Sequence, residues 1–497
     1  MSDAPPVTGD MPVAEFRREA HRVVDWVADF LARLDGLPVT SAVQPGDVRA
    51  ALPRTAPEGG EPIDAVLADL DRVIVPGMTH WSHPGFHAYF CSSSSGPGIL
   101  GELLAAALNP NCMTWHACPA GTELEQVTLD WLRDLLGLPD PFSGVIYDGA
   151  SASSFHALAA AREAAGLEIR ERGMAGRADL TPLRVYASAE AHSSIEKAVV
   201  ALGLGRAGYR TIPVDGAQRL RPDALVRAIA EDRGAGVTPM AVVATVGTTG
   251  TTAIDPVADI AEICRRERVW LHVDAAYGGS AAVVPERRDG LAGWDQADSI
   301  VVNPHKWLFV PLDLSVLFTR RPEVLRRAFA LVPEYLRDGY EGRVENYMDY
   351  GLPLGRRFRA LKLWLVLRYF GRAGLAARVR EHMRFAAELA AWVDADPHFE
   401  RVAPVPLSTV CFRLRPAGVT DAVALDDVNR RLLDAVNGTR EVFLTHTRLD
   451  GRFVLRLVIG GIRTEQRHVE RAWALLRQEA TRLSPGAKGD GEGRAGA

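Results

Sequence analysis

A lysine directly follows a strand-like run in the sequence SIVVNPHKW, residues 299–307. The chain has only four lysines, and Lys306 is one of them, while arginine supplies nearly all the other positive charge. An amine at the end of a buried strand is partly desolvated, which lowers its pKa and makes it a nucleophile toward carbonyl groups. The sequence therefore indicates a reactive lysine at the end of a buried strand.

A second strand-like run ends in an aspartate, in the sequence VWLHVDAAYGG of residues 269–279. A carboxylate at the end of a neighbouring strand can keep a pyridinium nitrogen protonated. Together with a lysine that forms a Schiff base, this is how proteins hold pyridoxal 5'-phosphate (PLP). Lys306 alone is more simply explained as a strand cap, and Asp274 alone as the opening of a loop, but the two contexts together favour PLP.

Strands and helices alternate from Gly144 onward, which predicts an α/β fold with a mostly parallel sheet covered by helices on both faces. The predicted strands are 145–147, 184–187, 241–246, 270–273, 299–302 and 314–318, and the predicted helices between them are 153–172, 195–204, 222–232 and 257–268. Sites in such sheets lie at the carboxyl ends of the strands. Asp274 and Lys306 both fall there.

The other residues expected to contact the cofactor also follow predicted strands. The segment DGASASS, residues 148–154, opens a helix with small residues, so Ala150 and Ser151 are expected to offer backbone N–H groups to a phosphate. Simple helix capping is the alternative interpretation. His192 can stack on a bound ring, although a lone histidine is more often structural. Further contacts are expected from Thr248 or Thr249, Ala276, Asn303 and His305.

Outside the alternating region the sequence predicts helices at both ends of the chain. Two amphipathic helices, 12–34 and 63–75, flank a connector rich in proline, glycine and alanine, and they cannot bury their apolar faces alone. Further helices are predicted at 97–107, 122–136, 356–370, 375–395 and 425–436, and strands at 410–414, 442–445 and 453–458. Thr122 and Glu125 are expected to form a capping box. Residues 333–351 are expected to form a mobile loop.

The composition predicts a globular protein without a nucleic-acid or membrane partner. The chain has 497 residues, 47% of them hydrophobic and 24% charged, with a net charge of −5 and no long basic run. The polar first ten residues do not read as a signal peptide, and no apolar run approaches the ~20 residues that span a bilayer. The five cysteines form no Cys-x-x-Cys pair, which indicates free thiols in the cytoplasm. No metal site is expected, because Pro84 and Gly85 interrupt the histidines at 80, 83 and 87.

These motifs together resemble those of the group II PLP-dependent amino-acid decarboxylases, most closely the aromatic-L-amino-acid decarboxylases. NPHKW at 303–307 is similar to the family's Schiff-base motif, HVDAAY at 272–277 to its pyridine-nitrogen motif, and AHSS at 191–194 to its ring-stacking motif. Further similarities lie at 15–18, 79–81, 122–125 and 354–358, so the resemblance covers about residues 12–480.

The resemblance implies fold type I of the PLP enzymes, with a mostly parallel sheet of the seven-stranded type, and an obligate homodimer whose active sites share residues. The implied divisions are a helical segment that clasps the partner subunit (1–91), a large PLP-binding domain (92–370) and a smaller α+β domain (371–484). Residues 485–497 are expected to form a disordered tail, because they are rich in glycine and alanine. The implied catalytic residues are Lys306, Asp274, His192 and Tyr335, the last as proton donor on the mobile loop.

The resemblance also indicates an aromatic substrate. Substrate contacts are expected from Trp81, Tyr89, Phe90, Ser92, Met113, His305 and Gly355, although the aromatic stretch around 79–90 alone reads equally well as core filler. No arginine is expected among these positions, so glutamate is expected to be a poor substrate. Changes from the animal enzymes at Asn111, Met113 and Cys91-Ser92 leave the choice among tryptophan, tyrosine, dihydroxyphenylalanine and phenylalanine open.

The sequence leaves open three alternatives to an aromatic amino-acid decarboxylase. The first is an aldehyde synthase, which uses the same cofactor with oxygen, although relatives of that kind often replace the loop tyrosine. The second is a decarboxylase of glutamate, histidine or 2,4-diaminobutyrate. The third is a catalytically silent homologue kept for its dimer scaffold, and the presence of Lys306, Asp274, His192 and Tyr335 argues against it.

Overall fold

The computed structural model describes residues 8–331, 340 and 342–483. Seven strands form its central sheet: β1 (Ser143–Tyr147), β2 (Leu183–Ser188), β3 (Tyr209–Ile212), β4 (Thr238–Thr245), β5 (Trp270–Asp274), β6 (Ser299–Val302) and β7 (Ser315–Thr319). Their order is β1-β7-β6-β5-β4-β2-β3, and only β7 runs antiparallel to its neighbours. The predicted α/β fold with a mostly parallel sheet is confirmed.

Helices cover both faces of this sheet. The α-helices of the described residues are α1 (Val13–Arg33), α2 (Asp47–Ala51), α3 (Ile63–Asp69), α4 (Gly96–Leu108), α5 (Pro119–Leu136), α6 (Ala150–Ala164), α7 (Ile169–Arg172), α8 (Ser193–Ala201), α9 (Pro222–Gly234), α10 (Val257–Glu267), α11 (Pro304–Trp307), α12 (Pro322–Phe329), α13 (Arg359–Ala395), α14 (Ala422–Gly438) and α15 (Gln466–Leu483). Ala241 and Val243 on β4 pack into one hydrophobic cluster, and Val242 and Ala244 into another. The central strands are therefore buried on both faces, as a parallel sheet requires.

A second, antiparallel sheet of four strands lies in the C-terminal part of the chain. Its strands are β8 (Phe399–Arg401), β9 (Thr409–Leu414), β10 (Thr445–Leu449) and β11 (Arg452–Val458), in the order β10-β11-β9-β8. The second half of α13 packs with α14 and α15 on this sheet. Gly371 (φ 61°) interrupts α13 with a conformation that favours glycine, at the break predicted between two helices. No helix among the described residues is long and apolar enough to cross a bilayer.

Several local predictions are wrong. The predicted helix 153–172 stops at Ala164, because the chain turns through Gly166 (φ 66°) before α7. The strand predicted at 442–445 begins only at Thr445, and the helix predicted to run to Val75 changes to a π-type turn after Asp69. The strands β3 and β8 escaped prediction because they are short: Tyr209–Ile212 buries only one of its four residues, and Phe399–Arg401 only one of its three.

The predicted capping box is also wrong. Helix α5 begins at Pro119, and the Cys118 sulfur accepts from the N–H of Gly121 (3.3 Å), so Cys118 is the N-cap. Thr122 therefore lies inside the helix, and its buried hydroxyl has no hydrogen-bond partner among the described residues. Glu125 instead accepts from the N–H of Ile146 (3.0 Å) and pairs with Arg356.

Residues 80–91, called the wall segment below, are attached to the small sheet. Phe86 forms a bridge with Phe443, the N–H of His87 donates to the Phe443 carbonyl (2.9 Å), and the N–H of Val458 donates to the His87 carbonyl (3.0 Å). Helix α1, in contrast, leaves large apolar side chains in solvent, among them Val13 (74% exposed) and Phe16 (56% exposed). The N-terminal region thus has one part fixed to the small sheet and one helix, α1, whose apolar side chains are left exposed by the residues that the structure describes.

Candidate active site

Two adjoining cavities open at the carboxyl ends of the parallel strands. The inner cavity, of about 620 Å³, is lined by all nine residues predicted to contact a cofactor. They are Ala150, Ser151, His192, Thr249, Asp274, Ala276, Asn303, His305 and Lys306. The outer cavity, of about 1150 Å³, shares Phe90, His192, Thr249, His305, Lys306 and Leu312 with it. Four strand ends and the start of α6 therefore converge on one space.

Lys306 stands at the boundary of the two cavities. It lies in the short helix α11, directly after β6, and its Nζ is 5.2 Å from the centroid of the Phe90 ring. Burial lowers the pKa of the Lys306 amine, the carboxylate of Asp274 opposes this by raising the pKa, and the cation of Arg456 lowers it further. The amine therefore releases its proton more readily than an ordinary lysine, as a nucleophile must.

Asp274 ends β5 and is 5% exposed. Its Oδ1 accepts from the N–H of Ala276 (3.1 Å), which holds the carboxylate against the floor of the inner cavity. A buried carboxylate with one backbone donor retains capacity for a further hydrogen bond. Asp274 can therefore hold a protonated ring nitrogen.

The two histidines of the inner cavity are held by backbone donors. His192 caps α8, and its Nδ1 accepts from the N–H of Ser194 (3.2 Å). Its pKa is lowered by burial and by Lys306, whereas Asp274 raises it. The Nδ1 of His305 accepts from the N–H of Leu314 (2.9 Å), and burial lowers the pKa of His305 to about 3. His305 is thus neutral near pH 7 and carries its proton on Nε2.

The inner cavity suits a ring that carries a phosphate. No side chain caps the first turn of α6, and a Cβ placed on Gly149 would meet no atom within 4 Å, so the backbone N–H groups of that turn are accessible to an anion. Two buried polar atoms among the lining residues, Thr245 Oγ1 and Asn303 Oδ1, lack a hydrogen-bond partner in the described part of the chain. The cavity therefore offers both a phosphate cradle and unused polar groups.

Aromatic rings form much of the wall of the outer cavity. Trp81 and Tyr89 stack with centroids 5.5 Å apart and an interplanar angle of 12°. Phe90 stacks on Tyr277 at 3.8 Å, and Phe443 meets Tyr89 edge-on at 6.0 Å. Ser92 and His305 also line this cavity. Five of the seven residues predicted to contact the substrate, Trp81, Tyr89, Phe90, Ser92 and His305, thus lie together.

An arginine lies in the pocket outside the seven positions predicted to contact the substrate. Arg456 on β11 lines the outer cavity, with Nε donating to the Gly250 carbonyl (3.1 Å) and Nη1 to the Tyr89 carbonyl (2.7 Å). The sequence analysis missed it because Arg456 lies far from every motif. The only local signal is a charged residue within a run predicted to be a buried strand.

Met113 and Gly355 line neither cavity of this chain. They belong to a separate group, called the Arg356 cluster below. Its members are Asn111, Met113, Tyr347, Gly355 and Arg356. Its centre is the Arg356 guanidinium, which donates to both carboxylate oxygens of Glu125 (2.7 and 3.0 Å) and lies 4.6 Å from the Tyr347 ring centroid. Tyr335 lies outside the described residues.

Comparison with known proteins identifies the class. The model of the pyridoxal-dependent decarboxylase conserved domain matches residues 45–415, so the chain belongs to this family. It is a PLP-dependent carboxy-lyase of fold type I that acts on an amino acid, as the motifs around Lys306 and Asp274 predicted.

Individual relatives resemble the chain over nearly its whole length. Aromatic-L-amino-acid decarboxylase of Sus scrofa is 40% identical over 494 residues, covering 97% of this chain and 99% of that protein. Phenylacetaldehyde synthase of Arabidopsis thaliana is also 40% identical, covering 95% and 97%. The crystal structure of Oryza sativa TDC with PLP and tryptamine superposes with a TM-score of 0.93 at 37% identity, covering 96% and 100%. Relatives with two different product chemistries are therefore similarly close.

Proposed function

We propose that this chain decarboxylates an aromatic L-amino acid to the arylalkylamine and CO2. The observation that carries the proposal is the continuity of the two cavities: the space around Lys306 and Asp274 opens directly onto the rings of Trp81, Tyr89 and Phe90. Flat apolar walls of this kind suit an aromatic side chain. The aromatic decarboxylases among the relatives support the same assignment.

Different residues of the inner cavity would hold different parts of PLP. The first turn of α6 at Ala150 and Ser151 would hold the phosphate, and the Lys306 amine would hold the cofactor covalently. Asp274 would keep the ring nitrogen protonated, and His192 would pack against the ring. When bound, PLP supplies a sink for the electron pair that the departing carboxylate leaves behind. Thr249, Ala276 and Asn303 complete the enclosure.

The outer cavity orients the substrate side chain. Trp81, Tyr89 and Phe90 pack against the aromatic ring, while Ser92 and the neutral His305 can hydrogen-bond a ring hydroxyl or an indole N–H. Arg456 offers positive charge, but its Nε and Nη1 are already bonded to main-chain carbonyls. The aromatic walls therefore favour a ring over a side-chain carboxylate.

A panel of L-amino acids tests the proposed substrate class. We expect CO2 release and amine formation from tryptophan, tyrosine, dihydroxyphenylalanine and phenylalanine, with kcat/KM values that differ by about 10- to 200-fold, because one ring or hydroxyl changes binding by only ~1–3 kcal/mol. Ammonia and hydrogen peroxide are measured in parallel, since an aldehyde synthase would form them in place of the amine. A wide lead in kcat/KM for glutamate, histidine or 2,4-diaminobutyrate would contradict the aromatic assignment.

We also propose a homodimer with shared active sites. Helix α4 exposes four leucines, each about half exposed or more: Leu100 (53%), Leu103 (50%), Leu104 (47%) and Leu108 (64%). Leu312, which lines both cavities, is 65% exposed. Apolar surface of this kind marks an interface. We expect a second copy to bury α1 and α4. The Arg356 cluster, with Met113 and Gly355, would then complete the outer cavity of the other subunit.

Two further parts of the proposal rest on the sequence. The domain limits at residues 91 and 370 stay predictions. The wall segment, which belongs to the predicted N-terminal segment, nevertheless contacts the small sheet of the C-terminal domain. We propose a cytoplasmic location, which the five unpaired cysteines support.

Tyr335 is proposed as the proton donor at Cα. Tyr335→Phe is expected to lower amine formation by about 10²- to 10⁴-fold, the scale of a lost general acid, and to raise carbonyl product and ammonia. The measurement is amine, carbonyl and ammonia from L-tryptophan. Normal amine formation by this variant would contradict the role of Tyr335.

The same variant tests whether the site is shared. The residues that flank Tyr335's segment contact or adjoin the Arg356 cluster: the Met348 N–H donates to the Met113 carbonyl (3.0 Å), and the Tyr340 ring lies 5.0 Å from that of Trp115. Tyr335 would therefore act with Lys306 of the other subunit. Refolding Tyr335→Phe together with Lys306→Ala should restore about a quarter of wild-type activity, because half of the random dimers contain one intact site. An inactive mixture would show that both residues serve the same subunit's site.

A further inference from the structure

Arg456 joins three separate parts of the chain at the cavity wall. It lies on β11 of the small sheet and is 3% exposed. Its guanidinium donates to Tyr89 in the wall segment (2.7 Å) and to Gly250 in the turn after β4 (3.1 Å). The same group lies 4.8 Å from the centroid of the Phe90 ring. The small sheet, the wall segment and the large sheet therefore meet on one side chain.

The backbone conformation at Tyr89 requires stabilising contacts such as the hydrogen bond from Arg456. Tyr89 has a φ of 48°, in the left-handed region that a residue with a bulky side chain rarely adopts. A conformation of this kind persists only where the surrounding structure over-determines it. The Arg456 hydrogen bond to the Tyr89 carbonyl is one such constraint, and the stack of Tyr89 on Trp81 is another.

The positive charge of Arg456 has no carboxylate partner within the described residues. No carboxylate forms a salt bridge with it, and its buried Nη2 has no hydrogen-bond acceptor in the same part of the chain. Arg413 on the neighbouring strand β9 is equally buried, at 3% exposed, but pairs with Asp426 (2.8 Å). A buried unpaired charge is costly, so its presence beside the cavity calls for a functional reason.

We propose that Arg456 is a positioning residue for the decarboxylation: it fastens the rings of Tyr89 and Phe90 to the small sheet and to the Gly250 turn, which sets their distance from Lys306. The inference rests on the proposed function, because the position of these rings matters for an aromatic substrate. Its second contribution is electrostatic, since Arg456 places a fixed cation near the Lys306 amine.

The electrostatic contribution has a defined sign. Burial and Arg456 lower the pKa of Lys306, whereas Asp274 raises it. The titratable and charged groups that line the cavities around Lys306 are Tyr89, Asp148, Glu190, His192, Asp274, Tyr277, His305, Asp313, His446 and Arg456. Removal of the Arg456 cation therefore raises the pH at which the Lys306 nitrogen loses its proton, while a substitution that keeps the cation does not.

Two substitutions separate these contributions in the full-length protein with PLP bound. Arg456→Lys keeps the charge but cannot bond both carbonyls in the same geometry, so KM for L-tryptophan should rise about tenfold with the loss of a charged hydrogen bond. The midpoint of the pH titration of the visible cofactor absorbance should stay unchanged. Arg456→Gln should show the rise in KM and also move that midpoint to higher pH. A rise in KM with a smaller change in kcat marks loss of an interaction that the enzyme makes with both the bound substrate and the transition state.

Arg413→Lys and Arg413→Gln are the matched controls. They alter an equally buried arginine of the same sheet, so they should lower the melting temperature without changing KM or the absorbance titration. The proposal is overturned if Arg456→Gln loses thermal stability as Arg413→Gln does while both its KM and its titration midpoint stay at the wild-type values. The titration needs no substrate, so it reports on Arg456 even if no aromatic amino acid is decarboxylated, which would refute the proposed function alone.

Discussion

Lys306→Ala is expected to abolish covalent attachment of PLP and to lower decarboxylation by at least about a thousandfold, the scale on which loss of a nucleophile slows an enzyme. The reason is that, in the part of the chain that the structure describes, no other lysine lines the two cavities. Lys197 is exposed on α8, and Lys362 is buried in an ion pair with Glu102. The purified wild-type protein is expected to be yellow and to lose that absorbance band on borohydride reduction. The variant is expected to lack the band.

Peptide mapping of the reduced wild-type protein locates the attachment directly. The pyridoxyl group should be found on the peptide that contains Lys306. Lys197→Ala is a suitable control, because its side chain lines neither cavity and its removal should leave colour and activity intact. A pyridoxyl group on Lys197 or Lys362 would refute the assignment of Lys306.

Asp274→Asn should slow decarboxylation by about 10²- to 10⁴-fold, because a neutral amide does not hold a proton on the cofactor ring as a carboxylate does. A second readout has a defined direction. Asp274 raises the pKa of Lys306, so its neutralisation should lower the midpoint of the cofactor absorbance titration. This shift is opposite to the one expected for Arg456→Gln.

Asp298→Asn is the matched control for this substitution. Asp298 directly precedes β6, at the opposite edge of the sheet, and accepts from the N–H of Leu271 (2.9 Å). Its replacement should affect stability but neither kcat nor the titration. An Asp274→Asn variant with wild-type kcat would show that another group holds the ring nitrogen.

The inner cavity could be predicted from sequence because its residues follow a local rule. Asp274 and Lys306 each lie at or just after a strand that reads as buried, and the carboxyl ends of parallel strands meet at one edge of the sheet. Ala150 follows the same rule, because it lies just after β1, which is parallel to β6 and separated from it by β7. Knowledge of which strands are parallel was therefore enough to bring these residues together.

The outer cavity could not be predicted completely, for a different physical reason. Phe443 and Arg456 reach it from the small sheet, through tertiary contacts between segments more than three hundred residues apart, such as Arg456 with Tyr89. No local period or motif encodes such a contact. Met113 and Gly355 line neither cavity of this chain, and their predicted contact with the substrate would require the proposed second copy.

The attachment of the wall segment to the small sheet has a consequence for protein engineering. Trp81 and Tyr89, which line the proposed substrate pocket, are linked to Phe443 through Phe86 and to β11 through Arg456. A chimera that exchanges only residues 80–91 with those of a relative would place foreign side chains against an unmatched sheet. Transfer of substrate preference between members of the family therefore requires residues 80–91 and 443–458 to be exchanged as one unit.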